Sequence, residues 1–198
     1  MGRRPGSTAR PTKSAILDAA ERAIVQTGYK SLNFRDIAAE VGIKSSSVHY
    51  HYPTKGDLGA AVMRRYREDF SERLSHPPDD PEGAQAALNQ FLDGFRANVV
   101  DLDSMSLCVV LLAEKNLLDE ATTEELSAFY QLKLAWLSEV VSIISRGAKS
   151  KEACEREACS ILAALHGASV LVKATGDGSF YEKAVREYRN LANRMALA

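Results

Sequence analysis

Helical periodicity is the feature that most constrains what this chain can fold into. Apolar residues recur at intervals of three and four positions along most of the 198 residues, as Ile16, Ala20 and Ala23 do near the N-terminus. No segment carries a convincing strand pattern. The sequence therefore predicts an all-α protein of about nine helices, because a helix with this period collects its apolar side chains on one face.

Breaking and capping residues divide the first quarter of the chain into short helices. Thr12 or Ser14 is predicted to cap the first helix, and Gly28 to end it. A second helix is predicted to begin after Asn33 and to stop at Gly42, since glycine readily adopts the left-handed conformation that ends helices. These boundaries predict a small N-terminal group of helices, the third of which follows Gly42.

The third helix belongs to the most distinctive stretch of the chain, KSSSVHYHYPTKGDL. It is predicted to span residues 45–52, because Pro53 cannot continue it and Thr54 can cap the next helix, at about residues 55–74. Two short helices joined by a tight turn that contains glycine form a helix-turn-helix motif, and Gly42-Ile43-Lys44 is such a turn. The sequence predicts this motif here.

The predicted third helix exposes a surface of hydrogen-bond donors without any acidic residue. Its outward-facing side chains are those of Ser45, Ser46, Ser47, His49, Tyr50 and His51. Donors of this kind suit the major groove of DNA, where base edges and phosphates accept hydrogen bonds. A plain surface turn is the alternative interpretation, because serine-rich helices followed by aromatic residues also occur in that role.

A metal site is the other interpretation of the alternating histidines, and helical geometry argues against it. Residues two apart on a helix point about 200° apart, so His49 and His51 cannot share an ion. No other histidine or cysteine lies at ligand spacing from them. We therefore expect no metal and no cofactor.

A larger helical bundle is predicted for the rest of the chain. The run SHPPDDPEG interrupts helix formation, and further helical segments follow it. They are predicted at about residues 84–99, 104–115, 122–146, 151–175 and from 179 onward. Capping boxes are predicted where Thr122 precedes Glu125 and where Ser179 precedes Glu182. The segment 104–115 is apolar nearly all round, which predicts a helix buried at the centre of the bundle.

Charge and composition narrow the class of protein. The net charge is −1, but residues 1–55 hold nine basic and four acidic residues, whereas the remainder is acidic. A basic head on an acidic body is typical of proteins that bind a polyanion through the head. No apolar run approaches the roughly 20 residues of a membrane span, so we expect no membrane partner and no secretory signal. Three cysteines without close spacing favour a reducing, cytoplasmic compartment.

Residues 16–58 resemble the DNA-binding domain of the TetR/AcrR family of bacterial transcription regulators. The matching sequence is ILDAAERAIVQTGYKSLNFRDIAAEVGIKSSSVHYHYPTKGDL, in which HYHYPTK is close to the family's YHHFPSK. The resemblance implies a helix-turn-helix DNA-binding domain at residues 1–55 and a helical effector-binding and dimerisation domain at residues 56–198. It also implies three partners, namely double-stranded DNA, a hydrophobic or amphipathic small molecule, and a second copy of the chain.

The same resemblance implies roles in DNA binding for individual residues. Asn33 takes the place of a phosphate-contacting cap, Arg35 can reach a base, and Lys55 brings a cation to a phosphate. The full predicted set is Asn33, Arg35, Lys44, Ser45, Ser46, Ser47, His49, Tyr50, His51, Thr54 and Lys55. An N-terminal arm either adds phosphate contacts or is a solvated tail. Its basic residues are Arg3, Arg4, Arg10 and Lys13.

The last two helices are predicted to form a dimer interface, as the corresponding helices do in the TetR family. On the first of these helices, a surface of small residues allows a neighbouring helix to approach closely, and it consists of Ala163, Ala164, Gly167 and Ala168. The predicted interface residues are Ile161, Ala164, Leu165, Ala168, Val172, Tyr188, Leu191 and Met195. The alternative is that these side chains pack only within one copy of the chain.

A ligand pocket is predicted among the middle helices, where the family binds small molecules. The candidate residues are Tyr66, Phe70, Phe91, Phe95, Met105, Cys108, Leu112, Phe129, Tyr130, Trp136 and His166. Ordinary core packing is the alternative for each of them, although Tyr130, Trp136 and His166 bring polar atoms into apolar surroundings. Cys108 is expected to be inert packing, because a redox sensor needs a lowered pKa and access to solvent.

These features together predict a dimeric, ligand-responsive repressor that binds a palindromic operator and is released from it by an effector. The helix at about residues 55–74 follows the head directly, so its tilt is the predicted lever. An activator and an effector-independent DNA-binding protein are the alternatives. An enzyme is not expected, because the sequence contains no G-x-S-x-G, H-E-x-x-H, P-loop or Rossmann motif.

Overall fold

The structure of the chain is a computed structural model that describes residues 9–192, with side chains from Thr12 onward. Within that range it contains nine α-helices and no strand, which confirms the predicted all-α class. The helices are α1 (Ala9–Thr27), α2 (Phe34–Val41), α3 (Ser45–His51), α4 (Lys55–Arg73), α5 (Pro81–Arg96), α6 (Leu107–Ala113), α7 (Glu120–Ile144), α8 (Lys151–Thr175) and α9 (Ser179–Val185). Short 3-10 turns lie at residues 29–31, 115–117 and 188–190, and a π-helical turn lies at residues 97–101.

Two compact units make up the fold. The first contains the N-terminal helices up to Phe70 together with Leu107–Ala128. The second contains Ser71–Ser106 and the chain from Phe129 onward. Because of these limits, α4 and α7 each include residues of both units. The predicted division of roles at residue 55 stays a prediction, since it concerns what each part of the chain binds.

The core of the first unit is built around α1. Ile16 and Ala20 are fully buried on one face of this helix, as predicted, and Ile24 is buried with them, whereas Ala23 is only partly buried. Ile37 of α2 and Val48 of α3 are also buried. With eight and seven residues, α2 and α3 are too short to be stable alone, so this shared core is what holds them in place.

The start of α1 differs from the prediction, whereas its end agrees with it. The helix already runs from Ala9, so Thr12 and Ser14 lie inside it rather than at its cap. Gly28 follows the last turn with a φ of 86°, and its N–H donates to the Ile24 carbonyl at 2.9 Å. Glycine is favoured at this position because a side chain is strained at such a φ.

The second unit has its own core, to which α5, α7, α8 and α9 contribute. Leu92, Leu137 and Leu165 are fully buried in it. Tyr181 of α9 is fully buried as well, and its hydroxyl donates to the Leu92 carbonyl at 2.6 Å. Burial raises the pKa of this phenol well above its ordinary value. The hydrogen bond satisfies the one polar atom of the side chain and so fixes α9 against α5.

The predicted capping boxes of α7 and α9 are both wrong, because the Thr122 and Ser179 N–H groups each donate to an aspartate that lies three or two residues earlier in the chain. Asp119 accepts a hydrogen bond from the Thr122 N–H at 2.9 Å, and α7 therefore begins at Glu120. Asp177 accepts from the Ser179 N–H at 2.8 Å ahead of α9. The glutamates of the two boxes bind arginines instead. These pairs are Glu125 with Arg64 and Arg67, and Glu182 with Arg96.

The apolar segment 104–115 does not form a helix that is buried on all sides. Only Leu107–Ala113 is helical, and its buried residues are those of the face that packs on α1 in the first unit. Leu112, on another face, is 48% exposed. The prediction was wrong because composition alone cannot separate a one-sided apolar helix from a central one.

One helix within residues 9–192, α8, is long and apolar enough by length and composition to cross a membrane. Of the 18-residue window that meets this test, 39% is buried inside the fold. Core helices of folded bundles pass the same test, so the finding is weak evidence for a membrane span. The apolar composition of α8 is nevertheless informative, because some of its apolar side chains lie on the surface.

Candidate functional site

The turn between α2 and α3 holds the two helices in a helix-turn-helix arrangement. Gly42 adopts a φ of 74°, in the left-handed region. The N–H of Ile43 then donates to the Ala38 carbonyl at 2.9 Å, which closes the end of α2. Ala38 is itself buried, so its small side chain lets the helices approach closely. This confirms the predicted turn.

Asn33 caps α2, as predicted. Its Oδ1 accepts hydrogen bonds from the N–H groups of Arg35 and Asp36 at 3.1 and 3.0 Å, and its side-chain amide binds the Asp36 carboxylate. The side chain of Arg35 is exposed on the first turn of the helix. The cap therefore fixes where α2 begins and where Arg35 projects. A phosphate contact by Asn33 stays a prediction.

The outward surface of α3 is polar and open to solvent. Tyr50 is 84% exposed, and Ser46 and His49 are exposed beside it. Ser45, Ser47 and His51 are partly exposed, and Lys44 is the exposed residue immediately before the helix. The ring of His49 lies 4.5 Å from the ring of Phe34, which restricts its orientation. The helix thus presents donors outward in the positions that the sequence predicts.

The first turn of α4 places two further predicted DNA-binding residues close to α3. Thr54 and Asp57 form a reciprocal cap, in which Asp57 accepts from the Thr54 N–H at 2.9 Å and its own N–H donates to the Thr54 hydroxyl at 3.1 Å. The Lys55 ammonium donates to the Lys30 carbonyl at 2.9 Å and lies 4.7 Å from the centre of the Tyr29 ring. Partial burial lowers the pKa of Lys55, and the nearby Glu114 carboxylate opposes this shift.

A groove of about 490 Å³ opens beside this turn in the first unit. Its lining residues are Tyr29, Lys30, Thr54, Lys55, Gly56, Leu117 and Asp119. Glu114, close by, accepts a hydrogen bond from the Lys30 N–H at 3.0 Å. The residues that follow α6 therefore contact the same turn that holds Lys55.

Gly56 and Asp119 are residues of this site that the sequence prediction missed. A Cβ atom on Gly56 would lie 1.7 Å from Asp119 Oδ2, so the contact requires glycine at that position or a displaced carboxylate. No local pattern indicates the contact, because 63 positions separate the two residues. The only available signal is a glycine near the start of an otherwise good helix.

The second unit brings together most of the aromatic residues predicted for the ligand pocket. We call five of them the aromatic cluster, namely Phe91, Phe95, Phe129, Tyr130 and Trp136. The Phe91 and Trp136 rings stack with centroids 5.2 Å apart, and the Phe91 and Phe95 centroids are 5.4 Å apart. The Trp136 indole N–H donates to the Ser75 carbonyl at 2.9 Å. These contacts pack Phe91 and Phe95 of α5 together with Trp136 of α7.

Lys133 lies within the aromatic cluster and was not predicted. Only 2% of it is exposed, and its ammonium is 4.2 Å from the centre of the Phe129 ring, 4.8 Å from Phe95 and 5.5 Å from Tyr130. Rings at such distances stabilise a cation electrostatically. The sequence does carry a signal, since Lys133 occupies an apolar-face position in FYQLKLAWL, four residues after Phe129 and three before Trp136.

His166 of α8 packs against the aromatic cluster. Its ring lies 5.4 Å from Tyr130 and 5.6 Å from Phe95. Burial, together with the positive charge of Lys133, lowers the pKa of His166 to about 4. The imidazole is therefore neutral at pH 7. Its Nε2 atom is buried without a hydrogen-bond partner among the described residues.

The remaining residues of the predicted pocket are distributed between the two units. Tyr66, Phe70, Cys108 and Leu112 belong to the first unit, and Met105 belongs to the second. Cys108 is fully buried, as the prediction of inert packing requires. Their role in binding a ligand stays a prediction.

Most of the predicted dimer-interface residues are buried within their own chain. Those with no more than 5% exposure are Ile161, Leu165, Ala168, Val172, Tyr188 and Leu191, and Ala164 is partly exposed. These side chains fill the core of the second unit, because they lie on the inward face of α8 and on the segment after α9. They do not present an open surface to another copy of the chain.

A different stripe on α8 faces solvent. Ala163, Gly167, Val170 and Leu171 recur at helical spacing, and Val170 and Leu171 are 55% and 47% exposed. Of the predicted small-residue surface, Ala163 and Gly167 face solvent, whereas Ala164 is partly exposed and Ala168 is buried. Met195 and the side chains of Arg3, Arg4 and Arg10 lie outside the described residues, and Lys13 is exposed on α1.

The N-terminal region of the chain matches a known protein family. The model of the family described as bacterial regulatory proteins, tetR family, matches residues 16–62. A segment of 105 residues is 31% identical to the HTH-type transcriptional regulator TtgR of Pseudomonas putida, and it covers 51% of this chain and 49% of that protein. The match thus spans about half the length of this curated relative.

Solved structures extend the likeness to almost the whole chain. A TetR transcription regulator from Haloarcula marismortui has a TM-score of 0.72 at 27% identity, with 94% of this chain and 97% of that chain covered. A protein from Saccharomonospora viridis, solved in complex with choline, has a TM-score of 0.72 at 20% identity, with 95% and 96% covered. At the latter identity the likeness shows the fold alone.

The fold and the α2–α3 pair define a helix-turn-helix protein of the all-α class. The comparisons then place residues 16–62 in the family of bacterial regulatory proteins, tetR family, and the rest of the chain is similar in fold to solved TetR regulators. The resemblance seen in the sequence is therefore confirmed.

Proposed function

We propose that the protein is a transcriptional regulator that reads double-stranded DNA with α3. The observation that carries this proposal is the solvent-facing surface of α3, on which Ser46, His49 and Tyr50 are exposed and no acidic side chain occurs. Val48 is fully buried on the opposite side, so the helix is anchored while its donors stay open. A helix of this kind meets the acceptors of the major groove with complementary groups.

Two copies of the chain bind a palindromic operator. Because α3 has only seven residues, one copy reaches few bases, and useful specificity requires a second half-site about 34 Å away. The exposed stripe of α8 at Ala163, Gly167, Val170 and Leu171 supports the contact between copies, since exposed apolar surface of this kind marks protein interfaces.

A small hydrophobic or amphipathic effector releases the protein from its operator, which makes it a repressor. The aromatic cluster supports an effector site in the second unit, and the choline complex of the Saccharomonospora viridis protein is an instance of a small molecule bound in this fold. Because α4 and α7 each contain residues of both units, a tilt of either helix affects both. A coupling of about 1–3 kcal/mol is enough to change operator occupancy strongly. The protein acts in the cytoplasm and catalyses no reaction.

Selection of bound duplexes from a random DNA pool tests this function. The expected product is a palindromic consensus whose half-sites are centred about one helical turn, or a multiple of it, apart. The matched control is the variant Ser46→Glu, which places a carboxylate on the surface of α3 and should enrich no sequence. Failure of the wild-type protein to enrich any duplex contradicts DNA reading by α3. A consensus without two-fold symmetry contradicts only the paired half-sites.

A further inference from the structure

An aromatic contact joins the first residue of α2 to the outward surface of α3. The rings of Phe34 and His49 lie 4.5 Å apart, with their planes inclined at 56°. The imidazole has no hydrogen-bond partner among the described residues, and no other aromatic ring among them contacts it. Both of its nitrogens therefore stay available to a partner, while the Phe34 ring restricts the direction in which they point.

Phe34 is held firmly because it begins a helix whose start is fixed. The side-chain oxygen of Asn33, the preceding residue, accepts hydrogen bonds from the N–H groups of Arg35 and Asp36 at 3.1 and 3.0 Å. Ile37, three positions further on, is buried in the core of the first unit. Phe34 itself is only partly buried, so part of its ring remains on the surface beside α3.

The backbone on the other side of this contact is fixed as well. Val48 is fully buried, whereas the neighbouring His49 is exposed, so the side-chain torsions of His49 are what remain to be set. A tilted arrangement is a favoured one for two aromatic rings. A side chain that is ordered before it binds avoids the entropic cost of being ordered on binding. The Phe34 ring can therefore favour DNA binding without touching DNA.

We propose that Phe34 is a positioning residue for His49. Its ring selects in advance the imidazole rotamer that meets an acceptor of the DNA. This inference rests on the proposed function, in which α3 reads DNA. A direct contact between Phe34 and DNA is the competing explanation. The two differ in whether Phe34 still matters once His49 is absent.

The ring contact is tested without DNA by proton NMR. The ring current of Phe34 should displace the imidazole C–H resonances of His49 from those of His76, which is 78% exposed. The spectrum of His49→Ala assigns the signals, and Phe34→Leu should remove the displacement. Signals of His49 that coincide with those of His76 in the wild-type protein, or that do not move in Phe34→Leu, overturn the proposal.

A double-mutant cycle tests the role of the contact in DNA binding. Phe34→Leu should bind a selected operator about three- to tenfold more weakly, as expected when one more side chain must be ordered on binding. In the His49→Ala background the same change should have no further effect, because its influence passes through the imidazole. Unchanged affinity of Phe34→Leu, or losses that add in the double variant, overturn the proposal.

Phe180→Leu is the matched control, since Phe180 is also partly exposed but belongs to the second unit. Its operator affinity should equal that of the wild-type protein. Should Phe34→Leu not fold, Phe34→Met also lacks a ring and replaces it in both measurements. A wild-type protein that shows the displaced resonances but binds no duplex contradicts the proposed function and not the ring contact.

Discussion

At the scale of single residues, α3 separates the side chains that hold the fold from those that are free to contact a partner. Val48 is fully buried, whereas Tyr50, two positions later, is 84% exposed. Its ring meets the His51 ring edge-on, with the centroids 5.3 Å apart, and is otherwise largely in water. This exposure makes Tyr50 a residue whose removal can separate binding from stability.

We predict that Tyr50→Ala weakens operator binding about tenfold, because a hydrogen bond to a charged group contributes about 1.5–3 kcal/mol. Thermal unfolding should stay unchanged, since exposed substitutions usually alter stability by less than about 0.5 kcal/mol. Gel-shift titration and a melting curve measure the two effects. Tyr50→Phe is the matched control, and it should lose as much affinity as Tyr50→Ala if the hydroxyl makes the contact. Unchanged affinity of Tyr50→Ala contradicts the role of this residue.

A second residue-scale prediction concerns Gly56 and Asp119. Gly56→Ala should displace the Asp119 carboxylate and remove the cap of α7, which costs about 1 kcal/mol. In the Asp119→Ala background the same change should be neutral or slightly stabilising, because alanine favours the helix more than glycine does. Denaturant unfolding of the two single variants and the double variant measures the coupling. Additive effects would show that the two residues do not interact.

At the scale of helices, the most informative departure from the apolar pattern is a charged residue on the apolar face of α7. Lys133 stands on the apolar face, next to Phe129 and Trp136, where a leucine would complete the stripe. Burial of His166 on α8, and in addition the positive charge of Lys133, lowers the pKa of this histidine to about 4. The interaction between α7 and α8 is thereby made sensitive to pH.

We predict that stability falls as the pH is lowered from about 6.5 to 4 because of His166. In that window the unfolded chain takes up a proton at His166, whose ordinary pKa is 6.5, while the folded protein does not, so unfolding becomes more favourable. His166→Gln removes this contribution. Melting temperatures measured between pH 7 and 4.5 should therefore decline less steeply for His166→Gln than for the wild-type protein.

The control for this measurement is His76→Gln, which removes an imidazole that is 78% exposed. Its melting temperatures should follow the wild-type pH dependence closely. Parallel curves for the wild-type protein and His166→Gln would contradict a buried neutral imidazole at position 166.

The helix boundaries show how far local sequence determines this fold. Asn33 and Gly42 delimit α2 as predicted, because a cap and a left-handed glycine act within a few residues. The start of α7 could not be predicted in the same way. Thr122 and Glu125 form a valid capping box in the sequence, but Glu125 is bound by Arg64 and Arg67 from α4, and a distant partner leaves no local pattern.

The candidate sites also differ in how far the local sequence could predict them. The surface of α3 was predictable, since polarity and the position of Val48 together fix which side faces outward. The burial of Lys133 was not, because it depends on rings from Phe95 on α5 as well as on neighbours along α7. The outward stripe of α8 was predicted in part, since Ala163 and Gly167 face solvent and Ala168 does not. Small residues such as Ala164 and Ala168 suit either face, and only packing decides between them.

At the scale of the whole molecule, the exposed stripe of α8 predicts how the chain associates. Leu171→Glu should yield a monomer, because a carboxylate would be buried in an apolar contact between copies. Operator affinity should fall as well, because a monomer contacts only one half-site. Sedimentation velocity at micromolar concentration measures the oligomeric state. Gln90→Glu adds the same charge at an exposed position of α5 and should stay dimeric. A dimeric Leu171→Glu would place the interface elsewhere.

The most direct test of the central claim, that α3 of a dimer reads DNA, is the ratio of affinities for a selected duplex and for random duplex of equal length. Both are measured with the purified wild-type protein at the same moderate salt concentration, because phosphate contacts alone bind any sequence. We expect the selected duplex to bind at least about 1,000-fold more tightly. A ratio near one would contradict the claim.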